Sequence, residues 1–130
     1  MTIAVPAVAP DIDAEMDRRL GRCAYFVFVD SETGEWRAER NPGAEAASGA
    51  GVLAVQTIVN GGAQALAAPD YGPNAYEALA AAGIKMYLAK SGTVREVVEK
   101  VKRGELEPVS GATSAGMHGP GQGGGRMRRW

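Results

Sequence analysis

The stretch Ala24–Asp30, which reads AYFVFVD, decides the fold class of this 130-residue chain. Aromatic and β-branched residues fill it, and these residue types favour a β-strand. Because both of its faces are apolar, the stretch is predicted to be an interior strand of a sheet. A turn at Ser31–Gly34 follows, and Glu35–Arg40 then alternates Trp36 and Ala38 with charged residues. This second stretch is therefore predicted to pair back on the first as an edge strand with one face in water.

Short apolar runs and helical patterns alternate through the rest of residues 1–104. The last helix has the clearest pattern, because Thr93-x-x-Glu96 forms a capping box and valines follow at helical spacing. Besides the hairpin, the predicted elements are a strand Ile3–Ala7, a helix Ala50–Asn60, a strand Ala63–Ala68, a helix from Pro73 to Gly83, a strand Ile84–Leu88 and a helix from Thr93 to Gly104. This order predicts an α/β fold with a mixed sheet of strand order 3-2-1-4-5, in which strand 2 is antiparallel and helices flank the sheet. That is the ribonuclease H-like arrangement.

The charge balance and the cysteine count narrow the class of protein. Lys and Arg total 14 and Asp and Glu total 15, so the formal net charge is -1. This even balance gives no sign of nucleic acid or an anionic membrane as a partner. No apolar run approaches the roughly 20 residues that span a bilayer, and the first ten residues do not resemble a secretory signal. A single cysteine excludes an internal disulfide, and we expect a reducing, cytoplasmic location.

The same counts limit the chemistry. One cysteine and one histidine cannot build a four-ligand zinc site or hold an ordinary iron–sulfur cluster. Two-metal phosphodiester hydrolysis needs clustered carboxylates, and the predicted strands carry only Asp30 and Glu35. His118 lies in a glycine-rich segment without rigid support, so we assign no catalytic residue and expect no enzyme.

The composition changes after Gly104. Residues 111–130 contain seven glycines, and such a segment buries too little apolar surface to offset its ordering entropy. We therefore predict a domain over residues 1–104 and a flexible glycine-rich tail over residues 105–130. In that tail, His118 and Met117 are candidate soft metal ligands on a mobile arm, and an inert tail is the alternative.

The predicted topology locates a candidate binding site. The gap between strands 1 and 4 is a topological switch point, and ligands of open α/β sheets bind at the carboxyl ends of strands beside such a gap. Three predicted helices begin at this edge, where free backbone N–H groups would favour an anion. The candidate residues are Arg22, Cys23, Gly49, Gly51, Gly72, Pro73, Asn74, Gly92 and Thr93. Ordinary helix caps explain the glycines equally well. Cys23 beside Arg22 is either a thiolate favoured by a cation or a small half-buried residue.

Four motifs in order resemble one protein family. Leu20–Phe26, before a strand that ends at Asp30, is similar to the motif FGR-x-x-YF…VD, with Leu20 where the family has Phe. Gly72–Leu79 resembles GPNAFEAL, Ala82–Tyr87 resembles AGIKVY, and Gly92–Glu96 resembles GTV-x-E. These motifs are those of the dinitrogenase iron–molybdenum cofactor biosynthesis family.

The resemblance implies a small domain that binds or carries an iron–molybdenum or other metal–sulfur cofactor, or its precursor. Family members occur in nitrogenase assembly and also in organisms without nitrogenase. Cofactor-assembly proteins are the implied partners, and Cys23 and His118 are the candidate metal ligands. The alternative is an interaction or regulatory domain that binds no metal and acts through its surface and tail.

Overall fold

A computed structural model describes residues 1–113. Within them, a six-stranded mixed sheet carries three α-helices. The strands are β1 (Thr2–Ala7), β2 (Tyr25–Asp30), β3 (Trp36–Arg40), β4 (Ala65–Ala68), β5 (Lys85–Leu88) and β6 (Glu107–Pro108). The helices are α1 (Ala50–Asn60), α2 (Pro73–Ala81) and α3 (Val94–Lys102), and a short 3-10 turn spans Pro42–Glu45. None of the described helices is long and apolar enough to cross a membrane.

The strand order is β3-β2-β1-β4-β5-β6, which confirms the predicted order and adds one strand. β2 runs antiparallel to both β1 and β3, whereas β4 runs parallel to β1 and β5. A tight turn joins β2 to β3 and a longer loop joins β1 to β2, whereas the parallel neighbours β4 and β5 are joined by the crossover helix α2. The antiparallel pair of β5 and β6 is joined through α3.

β6 lies beyond the predicted domain end at Gly104. It pairs antiparallel with β5, and the Val109 N–H donates to the Met86 carbonyl at 2.8 Å. The physical reason is that β5 would otherwise leave a row of unpaired backbone groups along the sheet edge. The part of the predicted flexible segment that the structure describes, residues 105–113, therefore packs on the domain, and residues 114–130 lie outside the described chain.

Each face of the sheet buries its own apolar cluster, because neighbouring side chains of a strand point to opposite faces. On β2, Phe26 and Phe28 pack under α1 and α2, whereas Val27 and Val29 pack under α3. All four side chains are buried, which confirms that β2 is an interior strand.

α3 forms as its sequence predicts. The Thr93 hydroxyl accepts from the Glu96 N–H at 3.2 Å, and the Glu96 carboxylate accepts from the Thr93 N–H at 2.9 Å. These two bonds satisfy backbone donors that the first helical turn leaves without partners. The buried side of α3 consists of Val94, Val97, Val98 and Val101.

Candidate functional site

All three helices begin at one edge of the sheet. β3, β4 and β5 run parallel to β1, and each is followed in the chain by a helix that returns along the sheet. The helix starts therefore gather at the carboxyl edge, as the switch-point argument predicts. α1 and α2 contact each other on one face, whereas α3 covers the other face.

The start of α3 is closed by the loop that follows β1. The Val94 N–H donates to the Ala14 carbonyl at 2.9 Å, and the Arg95 N–H donates to the Ile12 carbonyl at 2.8 Å. With the capping box, these bonds occupy every backbone donor of the first turn. The expectation that the helix start at Thr93 offers free N–H groups to a ligand is therefore wrong, because loop carbonyls and the capping box already accept from these groups.

A salt bridge fastens the same loop to α3. The Arg95 Nε lies 2.7 Å from the Asp13 Oδ1. This hydrogen bond holds the pKa of the Asp13 carboxyl below its ordinary value. Both side chains are exposed, so the pair adds little to stability, and the backbone bonds do most of the closing.

The starts of α1 and α2 are open by contrast. Gly49 caps α1 in the left-handed conformation with φ 72°, and Gly72 caps α2, so neither cap has a side chain to accept a hydrogen bond. Within residues 1–113, the N–H groups of Ala50, Gly51 and Val52 in α1, and of Asn74 and Ala75 in α2, have no protein acceptor. Two positive helix ends thus lie on one face of the sheet edge with free donors.

Arg22 lies beside the start of α1. Its Nη1 donates to the carbonyl of Ala46 and, at 3.4 Å, to the carbonyl of Gly43. Both carbonyls belong to the segment that leads into α1, and the Arg22 side chain is exposed. The guanidinium therefore adds positive charge next to the open helix end.

Cys23 is fully buried, which contradicts the expectation of an accessible thiolate. Its Sγ contacts the Leu20 carbonyl and the Asn41 Nδ2, each at 3.5 Å, and the side chain packs in the cluster under α1 and α2. Burial disfavours the charged form and raises the pKa of the thiol to about 12. In this conformation Cys23 cannot ligate a metal bound at the surface, because none of its side chain is exposed.

Asn41 holds this part of the site together, and the sequence analysis missed it. Its Nδ2 donates to the carbonyls of Gly21 at 3.1 Å and Cys23 at 2.9 Å, and its Oδ1 accepts from the Gly43 N–H at 3.0 Å. A Cβ on Gly43 would lie 2.7 Å from the Gly21 and Ala50 carbonyl oxygens, so only glycine fits there. The sequence Asn-Pro-Gly at residues 41–43 indicates a turn. It does not indicate that the side-chain amide of Asn41 is buried.

Tyr71, also missed, ties the start of α2 to the end of the described chain. Its buried hydroxyl lies 2.8 Å from the Tyr87 carbonyl and 3.0 Å from that of Leu66. Its backbone N–H donates to the Thr113 hydroxyl at 2.6 Å, and the Thr113 N–H donates to the Tyr71 carbonyl at 2.9 Å. The last described residue, Thr113, thus lies beside Tyr71 at the start of α2. His118 itself lies outside the described residues.

Residues 1–113 contain no group of three or more His, Cys, Asp or Glu side chains that could hold a metal ion. This part of the chain therefore contains no metal site built from several carboxylates or imidazoles. A metal species bound here would have to bring its own ligands and be recognised through its charge.

The fold and these motifs are those of a known family. A family model described as dinitrogenase iron-molybdenum cofactor matches residues 1–104. The chain belongs to this family. An uncharacterized protein of Methanocaldococcus jannaschii is 30% identical to it over 90 residues, which cover 67% of this chain and 76% of that protein.

Two solved structures are similar to the whole domain. The orange protein of Desulfovibrio gigas, in its apo form, is 36% identical with a TM-score of 0.82, and the match covers 85% of this chain and 94% of that one. A NifB-like protein of Thermotoga is 31% identical with a TM-score of 0.72, and the match covers 92% of this chain and 97% of that one. These similarities indicate a cofactor-binding or carrier role for the domain.

Proposed function

We propose that this protein reversibly holds an anionic metal–sulfur cofactor, of the iron–molybdenum or another type, or its precursor, and carries it between cofactor-assembly proteins in the cytoplasm. The cargo would rest against the starts of α1 and α2. The observation that carries the proposal is the pair of open helix N-termini on one face, with the guanidinium of Arg22 beside the start of α1.

The chemistry of the site suits a preassembled anion. Such a species brings its own sulfides, so it needs no set of protein thiolates. Backbone N–H groups and a guanidinium can hold it by charge-assisted hydrogen bonds. Gly49, Gly51 and Gly72 let it approach the backbone closely, since none of them presents a side chain. Bonds of this kind form and break without covalent change, which is what a carrier requires.

The test is a titration of the 15N-labelled full chain, without air, with tetrathiomolybdate. This diamagnetic anion allows each amide to be followed by NMR. We expect the amide chemical shifts of residues 50–52 and 74–75 to change. Those of Val94 and Arg95 should stay unchanged, because their N–H groups already have acceptors. Changes confined to the hairpin at residues 30–37, with residues 50–52 and 74–75 silent, would exclude this site.

Arg22→Glu tests whether the positive charge of Arg22 contributes to anion binding. Reversing an exposed charge beside the site should weaken thiomolybdate binding and make it less dependent on salt, because screened charge contacts are lost. Lys85→Glu is the matched control, since Lys85 is exposed at the opposite edge, where β5 begins. Equal affinity for both variants would count against Arg22.

One observation favours the second candidate, an interaction domain that binds no metal. Val52 and Val59 lie one heptad apart on α1, with exposed fractions of 60% and 42%. An apolar stripe of this kind suits contact with another protein. If thiomolybdate leaves every described amide unchanged, this candidate takes precedence.

A further inference from the structure

The two edge strands of the sheet differ in how well they are protected against pairing with another chain. β6 forms one edge with only Glu107 and Pro108, and Pro108 has no N–H to donate. Short strands and prolines are the usual protection against pairing with another chain. β3 forms the other edge, spans Trp36–Arg40, and has no proline or bulge. Within residues 1–113 no strand pairs with its outer side.

The hydrogen bonds at the two ends of β3 show which backbone groups point outward. The Asp30 N–H donates to the Glu35 carbonyl at 2.8 Å, and the Asn41 N–H donates to the Ala24 carbonyl at 3.0 Å. Since bonding residues alternate along an antiparallel strand, Arg37 and Glu39 also face β2. The N–H and C=O groups of Trp36, Ala38 and Arg40 therefore point away from the sheet.

We propose that a second copy of this chain pairs antiparallel with β3 about a two-fold axis at Ala38. In this register Ala38 lies opposite Ala38 of the second copy, and Trp36 lies opposite Arg40 of the second copy. These are the residues whose backbone groups point outward, so about six hydrogen bonds form across the axis. In this alignment Trp36 faces Arg40 and Arg37 faces Glu39, so the strand is complementary to its own reversed copy, which is the condition for a two-fold interface.

The side chains support the same register on the α1 face. Arg37 lies over the Phe28 ring at 4.4 Å and its Nη2 donates to the Gly61 carbonyl at 2.7 Å, so its guanidinium is already held in place. Glu39 lies beside it within the chain, at 3.2 Å. Across the axis each Arg37 meets Glu39 of the second copy, so the charges alternate in sign instead of repelling.

The α3 face of the interface is aromatic and cationic. Trp36 is 43% exposed, and across the axis its ring meets the guanidinium of Arg40, an arrangement in which the ring face attracts the cation. Arg40 already pairs with Glu45 at 2.8 Å, but both side chains are largely exposed. That pair adds little to stability and yields easily to a new contact.

The expected dimer is weak and reversible. A single pair of five-residue strands buries less than the roughly 1,200 Å² of a stable complex. The two-fold axis sets the carboxyl edge of one sheet beside the amino edge of the other. The open starts of α1 and α2 therefore remain uncovered in both copies, and the pairing does not depend on the proposed cargo.

Sedimentation velocity of the full chain at protein concentrations from about 10 μM to about 1 mM tests the proposal. We expect a concentration-dependent dimer. Ala38→Pro should abolish it, because proline removes an N–H that points outward and has no partner within residues 1–113. Ala38→Val, which keeps that N–H and suits a strand, is the matched control and should still associate. A wild-type chain that stays monomeric throughout this range overturns the proposal.

Glu39→Arg tests the register without placing proline in a strand. It sets like charges opposite Arg37 of the second copy and should raise the dissociation constant about tenfold or more. The exchange Arg37→Glu with Glu39→Arg restores opposite charges and should restore much of the association. Circular dichroism checks that each variant is folded. A dimer that survives both Ala38→Pro and Glu39→Arg would place the interface elsewhere, for example on α1, and would overturn the proposal.

Discussion

Cys23 illustrates how burial decides the chemistry of a single residue. Its position beside Arg22 leaves open, on sequence grounds, either a thiolate or a small half-buried residue. The side chain turns inward, where desolvation raises the pKa of the thiol to about 12. The direction of a side chain depends on what packs above it, here α1 and α2. A sequence pattern gives neighbours along the chain and not neighbours in space, so the sequence alone could not decide between the two.

The raised pKa of Cys23 makes stability depend on alkaline pH. The unfolded thiol ionises near pH 8.5, whereas the folded thiol stays protonated to about pH 12. The free energy of unfolding should therefore be unaffected by this group below about pH 8 and fall as pH rises from about 9 towards 12. Between pH 7.5 and 9.5 we expect urea unfolding to show a loss of about 1 kcal/mol that Cys23→Ala does not show. An equal loss in both proteins would contradict the assignment.

Asn41 should be among the most sensitive positions of the chain. Asn41→Ala leaves the Gly21 and Cys23 carbonyls and the Gly43 N–H without their partner, so we expect a loss of about 2–3 kcal/mol in the free energy of unfolding. Asn60→Ala is the control, because Asn60 is exposed at the end of α1 and should cost less than about 0.5 kcal/mol. Similar losses for the two variants would contradict the structural role of Asn41.

At the scale of elements, the periodicity of the sequence predicted the strands and helices. It did not predict the contacts between them. The alternation along β2 and the capping box of α3 are local signals, and the structure has both elements where they were predicted. The loop after β1 has no periodic pattern, and it closes α3 through backbone carbonyls that any sequence possesses. β6 has two residues, too few to leave a pattern. The helix starts were therefore predictable, but not which of them stay open.

Two substitutions of Gly51 can distinguish an effect on helix stability from an effect on anion binding. It lies in the first turn of α1, and a Cβ there would meet no atom within 4 Å. Gly51→Ala and Gly51→Glu should each stabilise the protein by about 0.5–1 kcal/mol or more, because glycine is a poor helix former and a carboxylate favours a helix start. Only Gly51→Glu should abolish thiomolybdate binding, since its carboxylate takes the place of the anion.

Thermal unfolding and the NMR titration measure the two effects separately. If Gly51→Glu binds thiomolybdate as well as Gly51→Ala does, the start of α1 is not part of the site.

At the scale of the whole molecule, the described chain continues to pack on the domain beyond Gly104, as far as Thr113. A chain cut after Gly104 loses β6, the contact of Val109 with the cluster under α1 and α2, and the hydrogen bonds between Thr113 and Tyr71. Exposing the β5 edge and the start of α2 should cost at least about 1 kcal/mol, or about 5 °C in the midpoint of thermal unfolding.

The matched comparison is a chain cut after Thr113, which keeps all of these contacts. Calorimetry of the two truncated chains should place the shorter one clearly lower. Equal midpoints would show that residues 105–113 contribute nothing to the fold.

The burial of Cys23 also determines whether oxidants can reach its thiol. It is the only cysteine of the chain, and none of its surface is exposed. Peroxide, glutathione and the thiols of other proteins react with accessible thiolates, and the buried Cys23 offers them none. Nor can its sulfur exchange with the sulfides of a cluster bound at the surface. A carrier built in this way can pass through changes of redox state while its cysteine stays out of the chemistry of its cargo.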